Sequence, residues 1–309
     1  MIRTPRAAWA LLASVLIAMA QPASAETLVI GTVAKDVKEE LKEFEPLAIF
    51  LEARLGSVGI DKVEVAVLPS ADRVAEAVRE GRVHLYIESP VVAAKVGREA
   101  RIVPMLRRWK KGWGDYWSEI VVRSDSGLRT LTDLRGRVLA FEDPDSTSGH
   151  LLPRALLLEN GLAVENLRRP TDRPAPTAVG AVFTSGDKTS IHWLLAGRVD
   201  AIATDPGYVQ RVEAERPGAI RSIARSISVP RHVVARAADM PEERAARIAA
   251  VLDGMADEEA WRRALAAFGK TDRFDAFPNG VEATFAPIEE RLHLLERQDR
   301  VAGTPQRPN

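Results

Sequence analysis

The sequence predicts an α/β protein made of two similar α/β lobes, and two observations carry that prediction. Strand-like and helix-like segments alternate with short connections, an order that stacks parallel strands beneath helices. The helix-to-strand junction Glu80-Gly-Arg-Val-His-Leu85 returns as Ala196-Gly-Arg-Val-Asp-Ala201, so one plan is used twice.

Thr27–Val33 is a short buried strand, followed by a helix over Asp36–Leu55 in which Pro46 starts a second part. Val63–Leu68 alternates as a strand. Ala71–Glu80 is amphipathic, with Val74, Ala77 and Val78 on one face, and Gly81 closes it as a C-cap before the strand Val83–Ile87. The aromatic-rich stretch Arg107–Ser118 suits a crossing between lobes, and Glu119–Arg123 is the strand after it. The second lobe repeats the plan. Gly136–Phe141 is a strand, Ser148–Asn160 a helix capped by Gly161, Thr189–Ala196 a helix ending at Gly197, and Val199–Ala203 a strand. Ile220–Val234 supplies return strands. A helix begins at Asp239-Met-Pro-Glu-Glu, with proline and acids in its first turn, and helices near Asp257–Ala267 and Pro287–Leu295 finish the fold. The expected organisation is a signal peptide over residues 1–25, a first lobe over 26–118, a second over 119–237, a return to the first over 238–300, and a disordered tail over 301–309.

The N-terminus sets the compartment. Arg3 and Arg6, the apolar run Ala7–Ala20 and the triplet Ala23-Ser-Ala25 follow the order of a secretory signal peptide, with cleavage expected after Ala25. The apolar run is short for a membrane span, which takes about 20 residues. The chain has no cysteine, so an exported form relies on its core instead of disulfides and carries no lipid-modified cysteine. Lysines and arginines number 43, as do aspartates and glutamates. That balance argues against sequence-independent nucleic-acid binding and requires any anion site to be local.

The strongest local signal is Asp143-Pro-Asp-Ser-Thr-Ser-Gly-His-Leu-Leu-Pro153, directly after a strand and directly before a helix. Ser146, Thr147 and Ser148 offer hydroxyls, and Gly149 lets backbone approach closely. The first-turn amides and the helix dipole favour an anion there. A simple cap needs one such residue, whereas three hydroxyls and a glycine at the carboxyl end of a strand make a cup for an oxyanion. His84, His192, His232 and His293 show no metal-ligand spacing, and there is no Gly-x-Ser-x-Gly elbow. No metal, no cofactor and no catalytic residue are expected.

The stretch Phe141–Ala155 resembles the ligand loop of phosphate/phosphite/phosphonate-type ABC-transporter substrate-binding proteins. Glu45–Leu51, Tyr116–Gly127 and Val199–Asp205 are similar to other parts of that family. The resemblance implies a type II periplasmic binding-protein fold, with a ligand cleft between lobes joined by a two-stranded hinge. It further implies a freely diffusing, monomeric carrier that passes a small anionic solute to an inner-membrane ABC permease and is no enzyme. The sequence departs from the family pattern at Glu88-Ser89-Pro90, where an aromatic or aliphatic residue often precedes Gly-Pro. It departs again at Phe183–Lys188, where Asp187 replaces a histidine expected to face the anion. The site expected on this basis combines Ser146, Thr147, Ser148, Gly149 and His150 with Glu88, Ser89, Lys35, Tyr116, Asp187, Lys188 and Asp205. Lys35 and Lys188 would offset the acids, or the ligand itself would carry a cationic group. Trp113, Tyr116 and Trp117 either line the cleft or pack between lobes, and Asp205 either faces the cleft or caps the turn before Pro206. Two other classes share this chemistry: a sensing partner of a membrane receptor, and an enzyme using Glu88, Asp187 or Asp205 as acid or base.

Overall fold

The structure, a computed structural model, describes residues 26–34 and 36–301. The expected signal peptide, Lys35 and the segment after Val301 lie outside the described residues. The first sheet begins with β1 (Glu26–Val33), β2 (Ile60–Leu68), β3 (Leu85–Glu88) and β4 (Ile102–Lys110). The chain crosses at β5 (Asp115–Tyr116) and builds the second sheet from β6 (Glu119–Arg123), β7 (Val138–Phe141), β8 (Ala163–Asn166), β9 (Ala178–Phe183), β10 (Ala201–Thr204) and β11 (Ile220–Arg225). It returns through β12 (Val229–Pro230), then adds β13 (His232–Ala237) and β14 (Thr271–Asp275) to the first sheet. The strand orders are β2-β1-β3-β13-β4-β14 and β8-β9-β7-β10-β6-β11.

The two-lobed fold is therefore as the sequence predicts, with two refinements. Each sheet is mixed: β1, β2 and β3 run parallel, as do β7, β8, β9 and β10, while β13, β4 and β14 in one lobe and β6 and β11 in the other add antiparallel neighbours. The expected boundary at residue 237 also moves. β13 pairs with β3 and β4 of the first lobe, so the crossing back ends at β12. Every residue of β13 except His232 and Arg236 is buried, because it fills the middle of that sheet rather than an edge.

Nine α-helices cover the sheets among the described residues: α1 (Val37–Leu55), α2 (Ala71–Arg79), α3 (Pro90–Glu99), α4 (Leu152–Glu159), α5 (Asp187–Leu195), α6 (Pro206–Glu215), α7 (Glu242–Asp253), α8 (Glu259–Ala267) and α9 (Gly280–Val301). Helix α1 passes through Pro46 without the break expected there. Its buried face of Phe44, Leu47, Phe50, Leu51 and Leu55 outweighs the hydrogen bond that proline forfeits. The C-terminal helix α9 packs on both lobes. Ile288, Leu292 and Leu295 join Val91 and Ala94 of α3, Leu152 and Ala155 of α4, and Tyr116 and Val229 of the crossing strands in one apolar seam. Ion pairs Arg98–Glu289, Arg291–Glu159 and Arg154–Asp299 flank it. Lys95 and Asp145 form a further pair between lobes at 3.0 Å.

Candidate functional site

Both sheets reverse strand order at one point, between β1 and β3 and between β7 and β10, and ligands in open α/β sheets collect at the carboxyl ends beside such points. In the second lobe, β7 leads into Glu142 and the turn 147–151, which continues directly into α4. Ser146 is the N-cap. Its hydroxyl accepts the Gly149 amide at 3.0 Å and donates to Glu142 Oε2 at 2.7 Å. Among the described residues the Thr147 and Ser148 amides have no acceptor, which is normal for a first turn. Thr147 is 3 % exposed, and its hydroxyl lies beside that of Tyr116 without a hydrogen bond of proper geometry. Ser118, fully buried at the crossing, donates to Ser148 O at 2.6 Å and fixes the cup to the hinge.

At Gly149 the structure shows a close approach within the loop itself. A Cβ there would meet Glu142 Cβ at 2.5 Å and Glu142 Oε2 at 2.7 Å, so the close approach is to Glu142. Gly149→Ala is expected to destabilise the protein by about 1–3 kcal/mol through this overlap, measurable by denaturant unfolding. His150 places Nδ1 2.7 Å from Pro144 O and packs its ring against Phe141 and Phe183. Burial pushes its pKa down to about 4, so it is neutral at pH 7.

Asp187 accepts a hydrogen bond from Thr204 Oγ1 at 2.8 Å. Burial, then the nearby Glu142 carboxylate, pushes its pKa up to about 7. Asp205 caps α6 through Tyr208 N at 3.0 Å, and its other oxygen lies 3.9 Å from Arg231. Of the two readings of Asp205 left open by the sequence, the cap before Pro206 is the one the hydrogen bond shows. Lys188 is exposed and has no ion pair among the described residues.

The first lobe presents a buried ionic cluster. Glu88 at the end of β3 accepts the Ser89 amide at 2.7 Å, and Ser89 is buried. His232 Nδ1, 4.0 Å from Glu88 Oε1, is buried without a partner. Burial and the surrounding Lys110, Arg108 and Arg231 hold its pKa well below the usual range. Lys110 contacts Glu43 at 3.4 Å, and burial together with Arg108 lowers its pKa to about 8. Arg108 is anchored by Thr271, the Phe268 carbonyl and the Phe268 ring. Arg231, between the crossing strand and β13, stacks over the Tyr116 ring at 4.3 Å, and its amide is held by Gly114 O. Trp113 and Trp117 meet edge to face at the crossing, with Arg225 over the Trp117 ring.

Sequence reasoning missed Glu142, Arg231, Lys110 and Arg108. For the last two a signal existed, because Arg108 and Lys110 alternate along one face of β4. Arg231 carried none, since only tertiary placement brings it beside Tyr116 and Asp205, and Glu142, though it lies within the stretch Phe141–Ala155, is an acid and so not an anion-binding type.

Two α/β lobes, with free helix-start amides in one and a buried cluster of cations in the other, define the architecture of a two-lobed solute-binding protein. The comparisons agree. The family described as "ABC transporter, phosphonate, periplasmic substrate-binding protein" matches residues 30–279, and the chain belongs to it. Members of that family serve transport through a membrane permease and are periplasmic. The phosphate-import protein PhnD of Mycolicibacterium smegmatis is 27 % identical over 240 residues, covering 73 % of this chain and 72 % of that protein. XAC2383 from Xanthomonas citri, in a structure bound to chloride ion, superposes with a TM-score of 0.80 at 26 % identity, over 89 % of this chain and 99 % of that one. A second structure of XAC2383 is bound to ATP. PhnD1 from Prochlorococcus marinus in complex with methylphosphonate shares the fold, with a TM-score of 0.64 at 15 % identity over 89 % of this chain and all of that one.

Proposed function

We propose that the cleft binds a small phosphorus oxyanion (phosphonate, phosphite or phosphate) and that the protein, freed of residues 1–25 by cleavage after Ala25, delivers it as a monomer to an inner-membrane ABC permease. The observation that carries this reading is the buried Thr147 hydroxyl, lacking a proper hydrogen bond beside two free amides at the start of a helix. A buried donor left unmatched costs about 1–3 kcal/mol, and a tetrahedral anion supplies several acceptors at once. Thr147 and Ser148 donate to it, and Arg231 and Lys110 supply the opposing charge. Glu88 and Ser89 complete the wall from the first lobe as the hinge closes. The phosphate-import relative and the ATP-bound XAC2383 structure support a phosphorus-containing ligand, and the chloride-bound structure supports an anion.

Thermal unfolding against phosphate, phosphite, methylphosphonate, 2-aminoethylphosphonate, sulfate and a set of amino acids tests the reading. A phosphorus oxyanion is expected to stabilise by about 2.7 kcal/mol at a hundredfold excess over its dissociation constant. A midpoint moved only by amino acids would discard the ligand class and leave the fold untouched.

A further inference from the structure

We propose that Glu142 makes the cup selective for oxyanions that keep a proton, namely phosphate, phosphite and phosphonate monoanions, over fully ionised sulfate and sulfonates. The inference rests on the reading of the cleft as a phosphorus-oxyanion site and names its specificity device. A helix-start cup by itself does not tell one tetrahedral oxyanion from another, because its amides and hydroxyls only donate to the ligand. This cup differs from that plain arrangement. The first of its three hydroxyls is already committed, since Ser146 Oγ accepts the Gly149 amide and gives its proton to Glu142 Oε2.

Glu142 is held against the cup backbone. The absence of a side chain at Gly149 leaves room for its Cβ and Oε2, which a Cβ at that position would meet at 2.5 and 2.7 Å. Its second oxygen takes no hydrogen bond among the described residues. Asp187 lies close enough for the two carboxylates to repel, and Thr204 fixes one Asp187 oxygen. The other charged groups acting on Asp187 at this corner are Asp205 and Arg231, and Arg231 in turn lies near Lys110.

An ionised carboxylate is an acceptor with no proton to give. Set against a sulfate oxygen, also only an acceptor, it leaves two like-charged acceptors face to face. Set against a P–O–H group, it accepts a short charge-assisted hydrogen bond. The same oxygen therefore penalises one ligand and favours the other. The unmatched contact is expected to be worth about tenfold to a hundredfold in affinity.

Calorimetric titration of the purified protein with methylphosphonate, phosphate, methanesulfonate and sulfate, at a mildly acidic pH where the phosphorus oxyanions retain one proton, tests the proposal. The native protein is expected to prefer methylphosphonate to methanesulfonate, and phosphate to sulfate, by at least about tenfold. In Glu142→Gln the side chain still accepts from Ser146 and also brings an N–H donor. Sulfate affinity is expected to rise and methylphosphonate affinity to fall, so that the preference collapses. A folded Glu142→Gln protein with an unchanged preference, or a native protein binding both classes alike, overturns the inference while leaving the ligand class intact. No binding of any phosphorus oxyanion overturns the reading beneath it instead. A phosphorus NMR titration needs no variant. Bound methylphosphonate is expected to keep its monoanion shift at a pH where the free ligand has lost its proton, and a bound dianion shift refutes the proposal.

Discussion

Thr147→Val is expected to bind methylphosphonate about ten to a hundred times more weakly than the native protein while unfolding at a slightly higher temperature. The two effects have opposite signs because the hydroxyl is buried and lacks a proper hydrogen bond within the protein. Removing it relieves a desolvated group and restores a methyl of nearly the same shape, which stabilises by about 1 kcal/mol. The same hydroxyl donates to the anion in the bound state. A hydrogen bond to a charged acceptor contributes about 1.5–3 kcal/mol, which is the expected loss of affinity. Ser146 makes a poorer test, since its hydroxyl caps the turn through the Gly149 amide and its removal would weaken the fold itself. Equal affinity in the valine variant would exclude Thr147 from the site, whatever happened to the melting temperature.

The second large effect is on pH dependence. Asp187 has a pKa of about 7 in the folded protein, raised by burial and by Glu142, against 3.8 for the free side chain. Between those values the folded state binds more protons than the unfolded chain, so stability falls as pH rises from about 4 to about 7. Glu88 and Glu40 are also raised by burial and act in the same direction, whereas His150 and His232, lowered by burial, oppose them. Asp187→Asn keeps an acceptor for Thr204 but removes the largest of these titrations. Between about pH 4 and pH 7 the melting temperature of Asp187→Asn is therefore expected to gain several degrees relative to the native protein, at roughly 2–4 °C for each kcal/mol. A difference between the two proteins that stays constant over that window would show that Asp187 is ionised in the folded protein well below about pH 7.

Alternation and glycine caps made much of this fold legible. The junctions at Gly81 and Gly197 turn with positive φ from helix into strand, as the repeated Gly-Arg-Val predicts. The loop Ser146–Gly149 was legible as a helix start because its residue types have few other uses at that place. What the sequence hid depended on distance along the chain. β13 sits between β3 and β4, and nothing local in His232–Ala237 marks it as a partner of Leu85–Glu88. Helices α3 and α6 open on Pro90 and Pro206 straight after strands, with no polar run to announce them. Lys188 is exposed, whereas Arg108, Lys110 and Arg231 are drawn together from β4 and the segment before β13. Arg108 and Lys110 each stand beside another basic residue in the sequence, which masked their alternation. Glu142 was hidden by the anion-binding logic itself, which gives no reason to look for an acid beneath an anion cup.

The interleaved path of the chain also governs the order in which the protein can form. The second sheet is complete once residues up to Arg225 are present, and its strands all come from one continuous stretch. The first cannot close until β13 arrives, because β3 and β4 stay apart with unpaired backbone on their facing edges until that strand enters between them. Pairing over so long a separation is slow to find. A chain synthesised only as far as the second lobe therefore holds half of its structure in suspense. In a member of a periplasmic family, half of the fold thus waits on the part of the chain that is made last.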